Sequence, residues 1–348
     1  MAGIVFMAPT MFCCFKMHRR SRADRYKVDE QEIKQDAEKK NEPQFSWDKR
    51  EDVDMQRYLI RDVQGGTRVR QRGGKDPLQV ENCSNANIVI LSSTASLTID
   101  DCKQCFIVIG PCAGSVFLRD CSDCTILCAC QQLRTRDCAR IELALHCATQ
   151  PIIENSTNMV FHPLVINYPG FREEMALAGL SVFHHHGKTV HDFTPSKGSS
   201  NYKISPDPLS CSANQMQCIH ENTITIEAEK SAIPVLHKVD YDNVEKHHAY
   251  SIIQNGESES EFVERCADFG KLISMTHRLK LVSTHDIMLT HNEATFLPEG
   301  RVISFEIIGS EQEVEQLLHD TDLGFTLLLQ EHQSAFDALL TAKEKLNE

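Results

Sequence analysis

The chain has no run of about 18 apolar residues, so no bilayer-spanning helix is expected in it. It has no excess of positive charge either. The net charge is −13, which argues against nucleic acid as a general partner. A secretory pattern is also missing. MAGIVFMAPTMFCCF opens the sequence and is apolar, but the basic residues follow that stretch instead of preceding it. The 15 cysteines are therefore not expected to form the disulfide framework of a secreted protein. A reducing, cytosolic setting with mostly free thiols is the expectation.

What is present has a clear order. The length of 348 residues leaves room for two domains. Residues 1–42 read as a mobile tail: an apolar start, a basic cluster, and the charged run DEQEIKQDAEKKNEP. The cluster holds Lys16, Arg19, Arg20, Arg22, Arg25 and Lys27 against the single acid Asp24. Such composition buries little. Residues 80–160 carry an internal repeat. Its anchors are Cys83, Cys102, Cys121, Cys138 and Ser156, each preceded by Asn or Asp and spaced 19, 19, 17 and 18 residues apart. Between them lie the β-rich runs IVIL, SLTI, FIVI, SVFL, TILC, QLRT and IELAL, separated by turn residues. A βαβ unit needs about 30 residues, so this shorter period predicts stacked coils of a parallel β-helix.

Residues 196–245 read as a linker, because KGSSNYKISPDPLS is polar and broken by Pro206 and Pro208. From residue 246 the pattern changes. The segments 248–254, 277–284, 301–308 and 324–330 are strand-like. ESEFVERCADFGKLI brings Phe262, Cys266, Phe269 and Ile273 round at helical spacing, and EQEVEQLLHDT is a second helix. The order β-α-β-β-α-β predicts a ferredoxin-like α+β domain over 246–348, with a charged terminal helix from about Ser334. His285 and His291 fall in a stretch read as helical.

Cys102/Cys105 and Cys121/Cys124 are C-x₂-C pairs, a spacing that suits zinc. Neighbouring coils, however, put Ala86 or Ile141 at the second position. Stacked coils set equivalent residues about 4.8 Å apart in a column. A buried ladder of small thiols is the favoured reading, with metal and redox roles as alternatives. His184, His185 and His186, near His191, are a weaker metal candidate because contiguous histidines rarely converge on one ion.

Counting back from each anchor sorts the two arginines of CACQQLRTRDC. Positions three and five before the anchor are mostly apolar (Ile99, Leu118, Thr135, Ile153; Leu97, Val116, Leu133, Pro151) and should face inward. Two before it stand Glu81, Asp100, Arg119, Arg136 and Glu154, which predicts cross-coil pairs Arg119–Asp100 and Arg136–Glu154. Four before it stand Thr98, Phe117, Arg134 and Ile152. Arg134 has no acid in its column. It is either an ordinary solvated arginine or a donor kept open for an anionic partner, with Gln132 on the same face.

CQQLRTRDC followed by CATQPIIEN resembles the tubulin-binding cofactor C domain family, as do FSWDKRE at 45–51, LTIDDCKQCFIVIGPCAGSVFLRDC at 97–121, AGLSVF at 178–183 and HDFTP at 191–195. The resemblance covers roughly residues 43–195. It implies a mainly β plus α+β chain: a right-handed parallel β-helix, then a ferredoxin-like domain similar in fold to nucleoside diphosphate kinases. It further implies a GTPase-activating protein for an Arf-like small GTPase in its GTP form, serving release of lipidated cargo and traffic to cilia. On that resemblance Arg134, in the QQ-x-R motif, is an arginine finger, and Gln131, Gln132, Arg136, Glu154 and Phe193 are interface positions. A finger of this kind neutralises charge on the transferring phosphoryl oxygens. GTP and Mg²⁺ would come with the partner, so neither a cofactor nor an independent catalytic site is expected here. A binding-only adaptor and a tubulin-folding role are the alternatives.

The family usually begins Met-Gly-Cys, whereas here Gly3 follows Ala2. Cys13 and Cys14 precede the basic cluster, and their acylation would anchor the tail to a membrane surface. The expected location is the cytoplasmic face of the plasma membrane, the ciliary or basal body region, and the cytoplasm. For the second domain an interaction or structural role is expected, since the kinase's catalytic histidine motif has no convincing equivalent and fold does not transfer function.

Overall fold

Each period of the repeat folds as one coil of a parallel β-helix in the computed structural model, which describes residues 58–70, 76–186, 189–237, 247–253, 256–276, 278–291, 299–320, 326–327, 338–340 and 342. One face stacks β1 (Leu59–Arg61), β3 (Leu78–Glu81), β5 (Leu97–Asp100), the C-terminal parts of β6 (Phe106–Arg119) and β7 (Thr125–Arg136), β9 (Ile152–Glu154) and β11 (His191–Asp192). A second face stacks β2 (Thr67–Arg70), β4 (Asn87–Ile90), the N-terminal parts of β6 and β7, β8 (Ala139–Cys147), β10 (Thr157–Pro163) and β12 (Tyr202–Ile204). Single bridges from Gln64 through Ser84, Lys103 and Ser122 to Ala139 make a short third side.

The turns explain why the anchor follows Asn or Asp. Asn82, Asp101, Asp120, Asp137 and Asn155 all take positive φ, between 46° and 54°. These residue types tolerate the left-handed region better than others. The anchor cysteines then close the corner. Cys83, Cys102, Cys121 and Cys138 each donate S–H to the carbonyl two residues back, at 3.3, 3.4, 3.2 and 3.3 Å. Ser156 makes the same bond through its hydroxyl at 2.9 Å. These thiols are free and buried, and among the described residues no group of three or more ligand side chains is placed to hold a metal. Burial likewise pushes the Cys112 thiol up to about 11.

The two large faces differ outside. On the second face, Ile88, Ile107 and Ile126 fill the coil interior while Val89, Val108 and Leu127 are buried outward, in a second core with α1 (Phe171–Ala178) and the chain beyond it. On the outer side of the first face, by contrast, Arg134 and Arg136 are exposed among the described residues.

Residues 196–237 are not the extended linker expected for this region. β12 adds to the β-helix, and α2 (Ala213–Glu221) starts on a capping box formed by Ser212 and Gln215. Leu209, Cys218, Ile219, Ile224, Ala232 and Ile233 are buried, so scattered apolar residues anchor a segment whose prolines suggested a tether.

The C-terminal part is β13 (His247–Ile253), α3 (Glu259–Met275), β14 (Lys280–Leu289), β15 (Gly300–Ile308), α4 (Glu311–Asp320) and β16 (Thr326–Leu327). The sheet order β14-β15-β13-β16, antiparallel throughout, is ferredoxin-like. Phe262, Cys266, Phe269 and Ile273 are all buried, as their spacing predicted. One expectation fails here: His285 lies within β14 and His291 just after it, because the strand runs on to Leu289. The Phe183 and Phe305 rings meet edge to face at 5.8 Å, joining the β-helix side to this sheet. FSWDKRE, Cys13, Cys14, the tail and most of the expected terminal helix lie outside the described residues.

Candidate functional site

Alternation along β7 sets the site. Leu133 and Thr135 are buried, and Arg134 and Arg136 between and after them point outward. Strand register then supplies the neighbours. Arg134 stands opposite Phe117 on one side and Ile152 on the other; Arg136 stands opposite Arg119 and Glu154. β11 continues the face, with His191 opposite Ile152. Phe193 follows, its N–H donating to the Ile153 carbonyl at 3.0 Å. Its ring is 61% exposed and sits edge-on to His191 at 4.5 Å. The open face thus brings together Gln132, Arg134 and Arg136 from β7, Glu154 from β9 and Phe193 just after β11. Gln131 sits at the corner of the coil, where its carbonyl accepts from the backbone N–H and hydroxyl of Thr149 at 3.1 and 2.9 Å.

Two charge pairs were read from the columns, and they fare differently. Arg119 grips Asp100 through Nε and Nη2 at 2.7 and 2.8 Å, and the Asp100 side chain is only 1% exposed. Arg136, by contrast, meets Asp137 at 3.3 Å and not Glu154. The cause is the left-handed turn at Asp137, which brings that carboxylate back beside a long side chain that is 59% exposed. Glu154 stays opposite Arg136 in register, exposed.

Arg134 has a different partner. Its Nε–H donates to the Gln132 amide oxygen at 3.1 Å. That oxygen also accepts from the Ser115 hydroxyl at 3.1 Å. Among the described residues no carboxylate pairs with Arg134. A guanidinium held by Nε presents its two terminal nitrogens as a planar fork, a geometry that fits two oxygens of one phosphate or carboxylate. Ser115 was not singled out from the sequence. The available signal was its column: Ser115 and Gln132 both lie six residues before an anchor and pair in register.

Of the candidate histidines only His191 lies on this face. His146 and His185 stack at 5.1 Å on the buried side, next to the second domain. His146 Nε2 donates to the Ser181 carbonyl at 2.8 Å, and the Cys147 N–H donates to His185 Nδ1 at 3.1 Å. Burial pulls His146 down to about 4, helped by the charge on His184, and holds His185 well below its ordinary value.

Residues 75–193 match the family model described as Tubulin binding cofactor C. Three relatives are named Protein XRP2. The one from Homo sapiens is 40% identical over 235 residues, covering 65% of this chain and 64% of the relative. That from Gallus gallus is 45% identical over 203 residues, 56% of each chain. That from Danio rerio is 43% identical over 202 residues, 55% of this chain and 53% of the relative. The chain therefore spans between about half and two thirds of the length of these curated relatives. A solved structure, Tubulin Binding Cofactor C from Leishmania major, is 19% identical, with 46% of this chain and 93% of that one covered at a TM-score of 0.31. The resemblance read from CQQLRTRDC agrees with these matches: residues 75–193 match the tubulin binding cofactor C family model, in a chain similar over more than half its length to proteins named Protein XRP2.

Proposed function

We propose that this chain accelerates GTP hydrolysis by an Arf-like small GTPase, with Arg134 entering the partner's nucleotide site in trans. The observation that carries the reading is the state of Arg134. It is outward, exposed and free of any acidic partner among the described residues, on a strand fixed by pairing on both sides. Its neighbours Arg119 and Arg136 each meet an aspartate. Charge that builds on the γ-phosphoryl oxygens would be met by the open fork of Arg134, while the partner supplies nucleotide, Mg²⁺ and the water-positioning group. Phe193 and Glu154 flank the finger and would contact the partner's surface. This domain needs no cofactor of its own for that role.

Single-turnover GTP hydrolysis by an Arf-like GTPase tests the reading, using the wild-type chain and Arg134→Ala. Such fingers are worth about 10³–10⁵ in rate, or roughly 4–7 kcal/mol. Binding of the GTP form should survive the substitution while acceleration is lost. Binding without acceleration by the wild type would instead identify an adaptor, the second reading. We further propose that acylation at Cys13 or Cys14, with the basic cluster behind them, holds the chain at the cytoplasmic face of a membrane near cilia. A Cys13→Ser, Cys14→Ser variant that stays on membranes sinks that idea.

A further inference from the structure

We propose that Ser115 is a positioning residue for Arg134, acting through the side-chain amide of Gln132. The inference rests on the reading of Arg134 as the finger, and the test below separates the two.

The three groups meet at one atom. Arg134 Nε and Ser115 Oγ each lie 3.1 Å from Gln132 Oε1. An arginine Nε–H can only donate, so the atom it meets must be the amide oxygen and not the amide nitrogen. The serine hydroxyl, meeting the same oxygen, must then donate as well. Two donors converging on one carbonyl oxygen occupy both its lone pairs. A glutamine held by Arg134 alone could turn its amide over and drop the bond. Held also from the preceding coil, it keeps its oxygen toward Arg134 and its NH₂ outward.

Ser115 is itself well placed to act as the fixed end. It pairs in register with Gln132 and lies just after the tight corner of β6. At Gly114 a Cβ would stand 2.5 Å from the Ala95 carbonyl, and the Ala113 N–H donates to the Thr94 carbonyl at 2.8 Å. The backbone beneath Ser115 is therefore seated on the coil before it. The order of constraint runs from that backbone to the hydroxyl, to the amide oxygen, to Nε, and leaves the terminal nitrogens of the guanidinium facing out. An arginine ordered before the encounter loses less freedom on insertion than one that must be ordered by the partner.

The test uses the full chain and a GTP-loaded Arf-like GTPase under single-turnover conditions. Ser115→Ala is expected to lower the maximal hydrolysis rate about 3–10-fold, the worth of one hydrogen bond. The half-saturating concentration should stay unchanged, and Ser115→Thr, which keeps the hydroxyl, should restore the rate. A second readout needs no GTPase: exchange of the Arg134 Nε–H with water, followed by NMR. It should quicken in Ser115→Ala and return in Ser115→Thr. An unchanged Nε–H exchange in Ser115→Ala overturns the proposal, as does a raised half-saturating concentration with the maximal rate intact, which would mark an ordinary interface contact. If the wild-type chain gives no acceleration, the activator reading fails by itself, and Nε–H exchange still decides whether Ser115 holds Arg134.

Discussion

Acid should unfold this protein from a specific place, the stacked histidines behind the β-helix. His146 is 2% exposed and its ring lies 5.1 Å from that of His185. Both are neutral when folded: His146 donates Nε2–H to Ser181, and His185 accepts at Nδ1 from the Cys147 N–H. The charged groups around them give no relief. His184 and His186 add repulsion, while Asp286 is spent on the Ser181 hydroxyl and on Arg301. Two imidazolium rings at that separation would repel by about 3 kcal/mol at an effective dielectric of 20. Between the unfolded value of about 6.5 and the folded value of about 4 for His146, the unfolded chain binds more protons. Stability is therefore at its full value above about pH 6.5 and is lost as pH falls toward about 4. At about pH 5 the loss from His146 works out to roughly 2 kcal/mol, and His185, also held below its ordinary value by burial, adds to it in the same direction. Urea titrations at about pH 7.5 and about pH 5 should show that fall in the wild type. His146→Leu should be less stable at neutral pH by about 1–2 kcal/mol, for the lost bond to Ser181, yet flatter with pH by about 2 kcal/mol. Curves for wild type and variant that run parallel in pH would refute the reasoning.

Three further outcomes follow from the same geometry. Arg119→Ala should cost about 2–4 kcal/mol by urea denaturation, because it strips the bidentate cation from a nearly buried Asp100; Arg119 is 40% exposed, which keeps the cost at or below that of a fully buried pair. Gly114→Ala should destabilise by about 1–3 kcal/mol, from overlap with the Ala95 carbonyl, and should also lower any GTPase acceleration by shifting Ser115. Cys138→Ser should cost no more than about 1 kcal/mol, since Ser156 shows a hydroxyl making the same bond, and zinc content by mass spectrometry should not differ from wild type; a drop in bound zinc would revive the metal reading of the ladder.

The β-helix was legible because its signals repeat. The Asn or Asp before each anchor marks a left-handed turn, and the inward columns at three and five before the anchor are buried where described. The same counting placed Arg134 opposite Phe117 and Ile152 and found the Arg119–Asp100 pair. It failed where contacts are local or irregular. Arg136 turns to its own neighbour Asp137, which a column count ignores. Ser115 shares the column of Gln132, six residues before an anchor, but a neutral serine carries no charge to mark that column as part of the site. Residues 196–237 looked like a tether because two prolines and several serines outweighed Leu209, Cys218 and Ile219, whose burial depends on surfaces far off in sequence.

The division of labour between the two large faces accounts for why the arginine sits where it does. The middle coils of the second face are buried outward as well as inward, at Val89, Val108 and Leu127, and anchor the β-helix against α1 and the chain beyond. The first face, among the described residues, carries Arg134 and Arg136 exposed on its outer side. Its outward positions are free to carry polar groups without touching the core, and each is fixed by strands above and below. Moving Arg134 by one residue would turn it into the thiol-lined interior, since Leu133 and Thr135 on either side are buried. Moving it by one coil would set it at Phe117 or Ile152, away from the Gln132 and Ser115 pair that holds its Nε. A change at the tight corner around Gly114 should therefore reach the finger by displacing Ser115, even though Gly114 presents no side chain to a partner. Loss of acceleration with full binding in Gly114→Ala, rescued by nothing at the finger itself, is what that dependence predicts.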